Sequence, residues 1–372
     1  MIYFDNAATT PVHPEVFQVM KPYFTEIYGN PNSKYYPVAE KAKSAVNNAR
    51  ETIAKYLGAK KDEVVFTSGG TESNNMIIKG IAFKHKPGHM VTTSIEHSSV
   101  YETMNYLEEL GWSVTYLTPD SNGRVDAEEL RLTINDNTKL VSIGWVNSEF
   151  GTIQDIQGLS KIAAESNVLF HTDATQAMGK MNLSLNQFPD VNLMTFSSHK
   201  IFGPKGVGAA VLRKDEDGIP LRLVPLLHGG EQEFNYRGGT LAVPNIVGFA
   251  KAVEIHYRDF DNNIKLLSKL DHHFINLIKT NLKGLAEINN DFESRVPGII
   301  NVRFKGFNNQ VLLKNAKNIF GASTGSACSN SKPSRILKAL GYDRIHTQES
   351  IRFSLSHMNT QKDIDNLIDS LT

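Results

Sequence analysis

Seven short apolar runs recur between residues 63 and 213, namely EVVFTSG (63–69), HMVTTSI (89–95), WSVTYLT (112–118), KLVSIGWVN (139–147), NVLFHTD (167–173), LMTFSS (193–198) and GVGAAVLR (206–213). Helix-length segments such as ESNNMIIKGIAFKH and DIQGLSKIAAESN separate several of them. Strand–helix alternation of this kind predicts an α/β domain on a largely parallel sheet. The two runs within 193–213 are too close for a crossover helix, so one of them is expected to be antiparallel. After Pro244 a long helical pattern, NIVGFAKAVEIHYRDFDNNIKLLSKLDHHFINLIKTNL, leads out of this domain near residue 255. The remainder reads as a small α+β domain, with strands GIINVRF (298–304) and SIRFSL (350–355) and helices PSRILKALG and TQKDIDNLIDSL. DHH at 271–273 falls in the charged helical stretch and is expected to form a solvated face.

Length supports this division, because 372 residues exceed what one hydrophobic core usually fills. The expected boundaries are 13–255 for the large domain, with 1–12 and 256–372 in the small one. Lys plus Arg equals Asp plus Glu at 39 each, so the net charge gives no footprint for direct nucleic-acid or anionic membrane binding. No basic-then-apolar leader and no run near the roughly 20 apolar residues of a membrane span is present, so a soluble, cytoplasmic protein is expected. Cys328 is the only cysteine, which excludes an intramolecular disulfide and a thiolate metal cage. It lies in GASTGSACSNSKPSRIL (321–337), a polar, loop-like stretch, whereas an inert free cysteine is usually buried. A reachable thiol in such a loop suits chemistry.

Polar residues collect where the predicted strands end. The first run passes through Gly69, Gly70 and Thr71 into a helix, a junction whose free N–H groups favour phosphate. No P-loop pattern is present, which removes the main support for ATP chemistry. His97, Asn147, Asp173 with Gln176, and Ser197, His199 and Lys200 follow later strands, and in an open α/β sheet these ends share one crevice. Each has a plain alternative as a cap, a turn former or a solvated cation, but their coincidence at one sheet edge favours a site. The set meets the needs of pyridoxal phosphate (PLP): a Schiff-base lysine, an acid at the pyridine nitrogen, a phosphate cradle, a plate for the ring and a donor to the phenolic oxygen. Lys200, Asp173, Gly69 to Thr71, His97 and Gln176 fill these in that order. A metal site from His97, His171, His199 and Asp173 is weaker, for want of any metal-motif spacing.

YFDNAATTPVHPEV, YGNPNS, FTSGGTESNN, EHSSV, HTDATQAMGK, SSHKIFGPKGVGA, RGGTLAVPNIVG, GSACS and IRFSL occur in one order nearly end to end. In these the chain resembles the cysteine desulfurases, the NifS/IscS-like group of class V, fold-type I PLP enzymes. The resemblance implies a large domain with a mostly parallel, mixed sheet flanked by helices, plus a small α+β domain. It gives Lys200 the cofactor linkage, Asp173 the ring nitrogen, His97 the stacking position and Gln176 the phenolic oxygen. Gly70, Thr71, Ser197 and His199 would bind the phosphate, and Thr240 that of a neighbouring subunit in a homodimer. Asn147, also near the cofactor, and Arg352 would hold the carboxylate of the substrate L-cysteine, with Asn32 nearby. A guanidinium suits bidentate carboxylate capture.

The implied reaction removes sulfur from L-cysteine, with Lys200 moving the α-proton, His97 assisting proton transfer and Cys328 taking up the sulfur as a persulfide. Lys332, four residues on, is a cation that would help to lower the Cys328 pKa. The sulfur then passes to an acceptor protein, a scaffold for iron–sulfur clusters or a thiolation enzyme acting on tRNA among them. Four features depart from the pattern the resemblance implies: only SNSK separates Cys328 from Pro333, RGGTL stands where RSGTL is common, HGGEQE stands where a third Gly is usual, and the sequence ends at Thr372, directly after its last helical pattern, so the acceptor-docking tail that members often carry is not expected. A short tether limits reach. Another PLP enzyme, a selenocysteine lyase or an aminotransferase, could use Lys200 without Cys328. A non-catalytic subunit on a decayed fold would be expected to lack Lys200, Asp173 or Cys328, and all three are present.

Overall fold

The computed structural model describes residues 1–290, 293–325 and 334–371. After a two-residue strand β1 (Ile2–Tyr3), all seven apolar runs become strands: β2 (Val64–Thr67), β3 (His89–Thr93), β4 (Ser113–Leu117), β5 (Thr138–Ser142), β6 (Leu169–Asp173), β7 (Leu193–Ser197) and β8 (Gly208–Leu212). They form one sheet in the order β2-β8-β7-β6-β5-β3-β4. β8 runs antiparallel to both neighbours, as the short 193–213 spacing requires, and the other pairings are parallel. Alternate residues feed opposite faces: Phe66, Val91, Val141 and Phe170 join one apolar cluster, Val65, Met90 and Leu140 another. Burial on both faces explains why the runs are almost continuously apolar rather than alternating. β3 pairs with β4 on one side and with β5 on the other, so the strand order reverses beside it and opens a crevice at the carboxyl ends.

The long helical pattern is a single helix, Val243–Asn281. Its first half packs Ile246, Phe249 and Val253 into the cluster on one face of the large sheet. Its second half packs Leu270, Phe274 and Ile278 against Phe353 and Ile364 in a separate cluster. One stripe thus serves two cores, and the helix, about 58 Å long at 1.5 Å per residue, links them. DHH is not uniformly solvated. Asp271 is buried and takes both guanidinium nitrogens of Arg295 (3.0 and 2.6 Å) and the amide of Gly298 (2.7 Å). His272 is exposed, and His273 meets Asp365 at 2.7 Å.

The second cluster covers a three-stranded antiparallel sheet of β9 (Ala286–Ile288), β10 (Ile299–Phe304) and β12 (Ser350–Ser354), in the order β12-β10-β9. β1 pairs in parallel with β11 (Phe320–Gly321), and Asp5 bridges to Ser354. This carries residues 5–10 alongside β12, and Thr10 then hydrogen-bonds the carbonyl of His199 (2.9 Å).

Candidate active site

Asp173 is the last residue of β6, and its carboxylate is fixed from two sides. The amide of Thr175 donates to Oδ1 (2.9 Å) and Asn74 Nδ2 to Oδ2 (2.8 Å). Asn74 in turn accepts from Thr195 Oγ1 (2.5 Å) and donates to Ser99 Oγ (2.8 Å). His97 caps the helix Ser98–Glu109, so its plain alternative is also true: Nδ1 accepts the amide proton of Ser99 (3.1 Å). With Nδ1 accepting, the proton of the neutral imidazole sits on Nε2. Burial holds His97 below the usual histidine range, which keeps it neutral near pH 7. The sequence reading passed over Asn74 and Ser99, which join the acid to the imidazole.

The helix Gly70–Ala82 begins at the end of β2. Its entry is tight, since a Cβ on Gly208 would lie 2.7 Å from the Cα of Gly69. Gly70, Thr71, Thr175, Ser197 and His199 line one cleft there with His97, Asp173 and Gln176. Thr175 Oγ1 is buried without a hydrogen-bond partner among the described residues. An orphaned hydroxyl beside helix N–H groups fits a phosphate, as PLP would require. Glu72 accepts from the amide of Ser68 (2.7 Å) and from Arg237 Nε (2.7 Å), which ties this cradle to the 237–240 segment.

Lys200, just past β7, donates to the carbonyls of Ala7 (2.7 Å) and Ala8 (2.6 Å). Gln176 Nε2 donates to the same Ala7 carbonyl (2.8 Å). On β12, Arg352 is 1% exposed, so a surface ion pair is excluded. Its Nη2 meets Asp5 Oδ1 (2.8 Å), its Nη1 the Ser148 carbonyl (2.9 Å), and its Nε has no partner among the described residues. Asn147 lines the cleft, yet its amide also ties a turn: Oδ1 accepts from Glu149 and Phe150 (2.9 Å each) and Nδ2 donates to Ile95 (3.0 Å).

Cys328 and Lys332 fall outside the described residues, but both flanks of their segment meet the cleft wall. Ser323 exchanges backbone hydrogen bonds with Arg352 (2.7 and 3.1 Å). Ser334 Oγ donates to Glu149 Oε2 (2.5 Å), and a Cβ on Gly325 would come within 2.9 Å of that same oxygen. Arg335 bonds the carbonyls of Ser94 and Glu96 and stacks 3.8 Å over Tyr101. Asn32 and Thr240 are exposed and do not line the cleft of this chain, unlike the position expected for Asn32. No group of three or more metal-ligating side chains gathers among the described residues.

Burial pushes His171, His199 and His256 down to about 4. The unfolded chain takes up these protons near the ordinary value of about 6.5, so each histidine adds stability above that pH and loses it as pH falls toward 4. Glu96 works the other way: burial raises it to about 7, so its folded form gains stability as pH falls from 7 toward 4.5. Three imidazoles outweigh one carboxyl. The melting temperature should therefore drop between pH 6.5 and 4.5, before the ordinary carboxylates titrate. A flat profile across that window in scanning calorimetry would contradict the buried neutral histidines.

Residues 2–367 match the family model described as aminotransferase class-V. A cysteine desulfurase IscS of Dictyoglomus turgidum is 41% identical, over 100% of this chain and 93% of that one. The IscS of Methanosarcina thermophila is 42% identical over 99% and 90% of the two chains. A mitosomal cysteine desulfurase of Encephalitozoon cuniculi is 40% identical over 98% and 84%. Among solved structures, a NifS-like protein superposes with a TM-score of 0.91 at 38% identity, over 100% of this chain and 98% of that one. One described as SspA in complex with cysteine gives 0.82 at 36% identity, over 97% and 100%.

Proposed function

We propose, since the chain belongs to the class-V aminotransferases and among them to the cysteine desulfurases, that Lys200 carries its pyridoxal phosphate and Cys328 takes up the substrate's sulfur. The enzyme is PLP-dependent and removes sulfur from L-cysteine. One observation supports the residue assignment above others: Lys200, Asp173, His97, Gln176 and Arg352 come from different elements and line one cleft at the reversal of strand order.

When bound, PLP supplies a ring that accepts the electron pair freed at the substrate's α-carbon. Asp173, held by Asn74 and the Thr175 amide, keeps a proton on the pyridine nitrogen. Thr71, Thr175, Ser197 and His199 hold the phosphate, and Gln176 offers its second N–H to the phenolic oxygen. Arg352 has Nε free for the substrate carboxylate, while Nη2 is shared with Asp5, so Asp5 aims the guanidinium and competes for it. Lys200 Nζ takes the α-proton, and His97, neutral with its proton on Nε2, moves protons at the amine and thiol. The Cys328 thiolate attacks the substrate sulfur: the S–S bond forms as the carbon–sulfur bond breaks, and the carbon takes a proton to give alanine.

Thr240 is exposed on the segment that Arg237 ties to the phosphate cradle, which supports contact with a neighbouring subunit in a homodimer. The enzyme is cytoplasmic and hands its sulfur to an acceptor protein for iron–sulfur cluster assembly or tRNA thiolation. One cysteine in 372 residues suits a reducing compartment, and no helix among the described residues is long and apolar enough to cross a membrane.

The test is the product. PLP-loaded protein given L-cysteine should form alanine, with no keto acid. 3-Mercaptopyruvate with a pyridoxamine form of the cofactor would make it an aminotransferase.

A further inference from the structure

Four residues beyond Gln176, Lys180 turns back toward it. Gly179 makes the turn, with φ +94° and so little room that a Cβ would lie 2.8 Å from Ile201 Cγ2. Lys180 Nζ then reaches Gln176 Oε1 at 3.1 Å. An ammonium only donates and a backbone carbonyl only accepts. The Gln176 amide is therefore fixed at both ends, oxygen toward Lys180 and nitrogen toward Ala7. Because Ala7 also accepts from Lys200 Nζ (2.7 Å), a continuous chain of hydrogen bonds runs Lys180–Gln176–Ala7–Lys200.

The surroundings of Lys180 are cationic. Lys200 faces it from the turn after β7 and Arg352 from β12, the latter paired with Asp5. His256 faces it from the long helix, and His357 shares its small cavity of about 40 Å³ behind Lys200. Lys180 has no carboxylate partner among the described residues. If holding Gln176 were the whole task, a neutral donor would serve without placing a second cation beside Lys200.

We propose that Lys180 is a positioning residue that acts on the PLP linkage at Lys200 through charge, polarising Gln176 and disfavouring a proton on the cofactor-bound Lys200 nitrogen. This rests on Lys200 being the PLP lysine. Burial pushes Lys180 down to about 7, and the charges of Lys200 and Arg352 add to it.

The experiment is a pH titration of the visible absorbance of the PLP-loaded enzyme without substrate. Lys180→Met should move the absorbance transition up by about one pH unit, the size expected for losing one charge at a short, partly buried distance. Lys180→Gln, which keeps a donor but no charge, should shift it as much and stands in if the Met variant does not fold. Lys180→Arg, which stays charged at every pH, should not move the transition up. Transitions at the wild-type pH in both uncharged variants would overturn the inference. A shift in Met but not in Gln would overturn it too, since hydrogen bonding alone would explain that pattern. Lys200→Ala separates the two levels: if it keeps the wild-type band, the assignment of Lys200 fails, and if it loses the band while the Lys180 variants match wild type, only the role of Lys180 fails.

Discussion

Cys328→Ala should keep the yellow band of bound cofactor and lose sulfide release by about a thousandfold or more, the scale of removing a covalent nucleophile. The two readouts divide because the groups assigned to the cofactor, Lys200, Asp173, His97 and the Thr71–Thr175 cradle, all lie in the described cleft and none belongs to the 326–333 segment. Reduction with dithiothreitol should not rescue the variant, since a missing thiol differs from a trapped persulfide. Undiminished sulfide release would mean that sulfur leaves by elimination without Cys328, as in a lyase. The described flanks of that segment meet the cleft: Ser323 is paired with the Arg352 strand, Ser334 bonds Glu149, and Arg335 bonds the carbonyls of Ser94 and Glu96.

Lys200→Ala should abolish the covalent cofactor band and lower alanine formation by about four orders of magnitude, near the upper end of what a positioned general base supplies. Its folding should be largely retained. Lys200 donates to the backbone carbonyls of Ala7 and Ala8, and both residues line the cleft, so cutting the side chain back leaves no packed core void. Borohydride reduction of the wild type should fix the cofactor to the peptide containing Lys200. Fixation at Lys180 instead would reverse the roles given to the two lysines.

Much of this was legible in the chain because strands buried on both faces are written as plain apolar runs, and because chemistry follows their carboxyl ends. β1, β9 and β11 were not, since two or three residues carry no periodicity. The contributions of Ala7 and Ala8 are made by backbone carbonyls, which leave no mark on residue type. Asn74 and Ser99 sit on helix faces within recognisable motifs, where a polar residue reads as solvated until the sheet is folded against it. Asp271 was misjudged for the same reason: in the sequence it borders two histidines, and only the long helix packing on Arg295 and Gly298 turns it inward. Asn147 combined both possibilities, lining the cleft while its amide ties the turn beneath it.

The most direct measurement is a single turnover of the PLP-loaded wild type with one equivalent of L-cysteine, quenched and analysed by peptide mass spectrometry. One alanine per active site together with one added sulfur on the peptide containing Cys328 is the predicted result. Alanine or sulfide formed while that peptide stays unmodified would contradict a Cys328 persulfide and with it the proposed route of the sulfur.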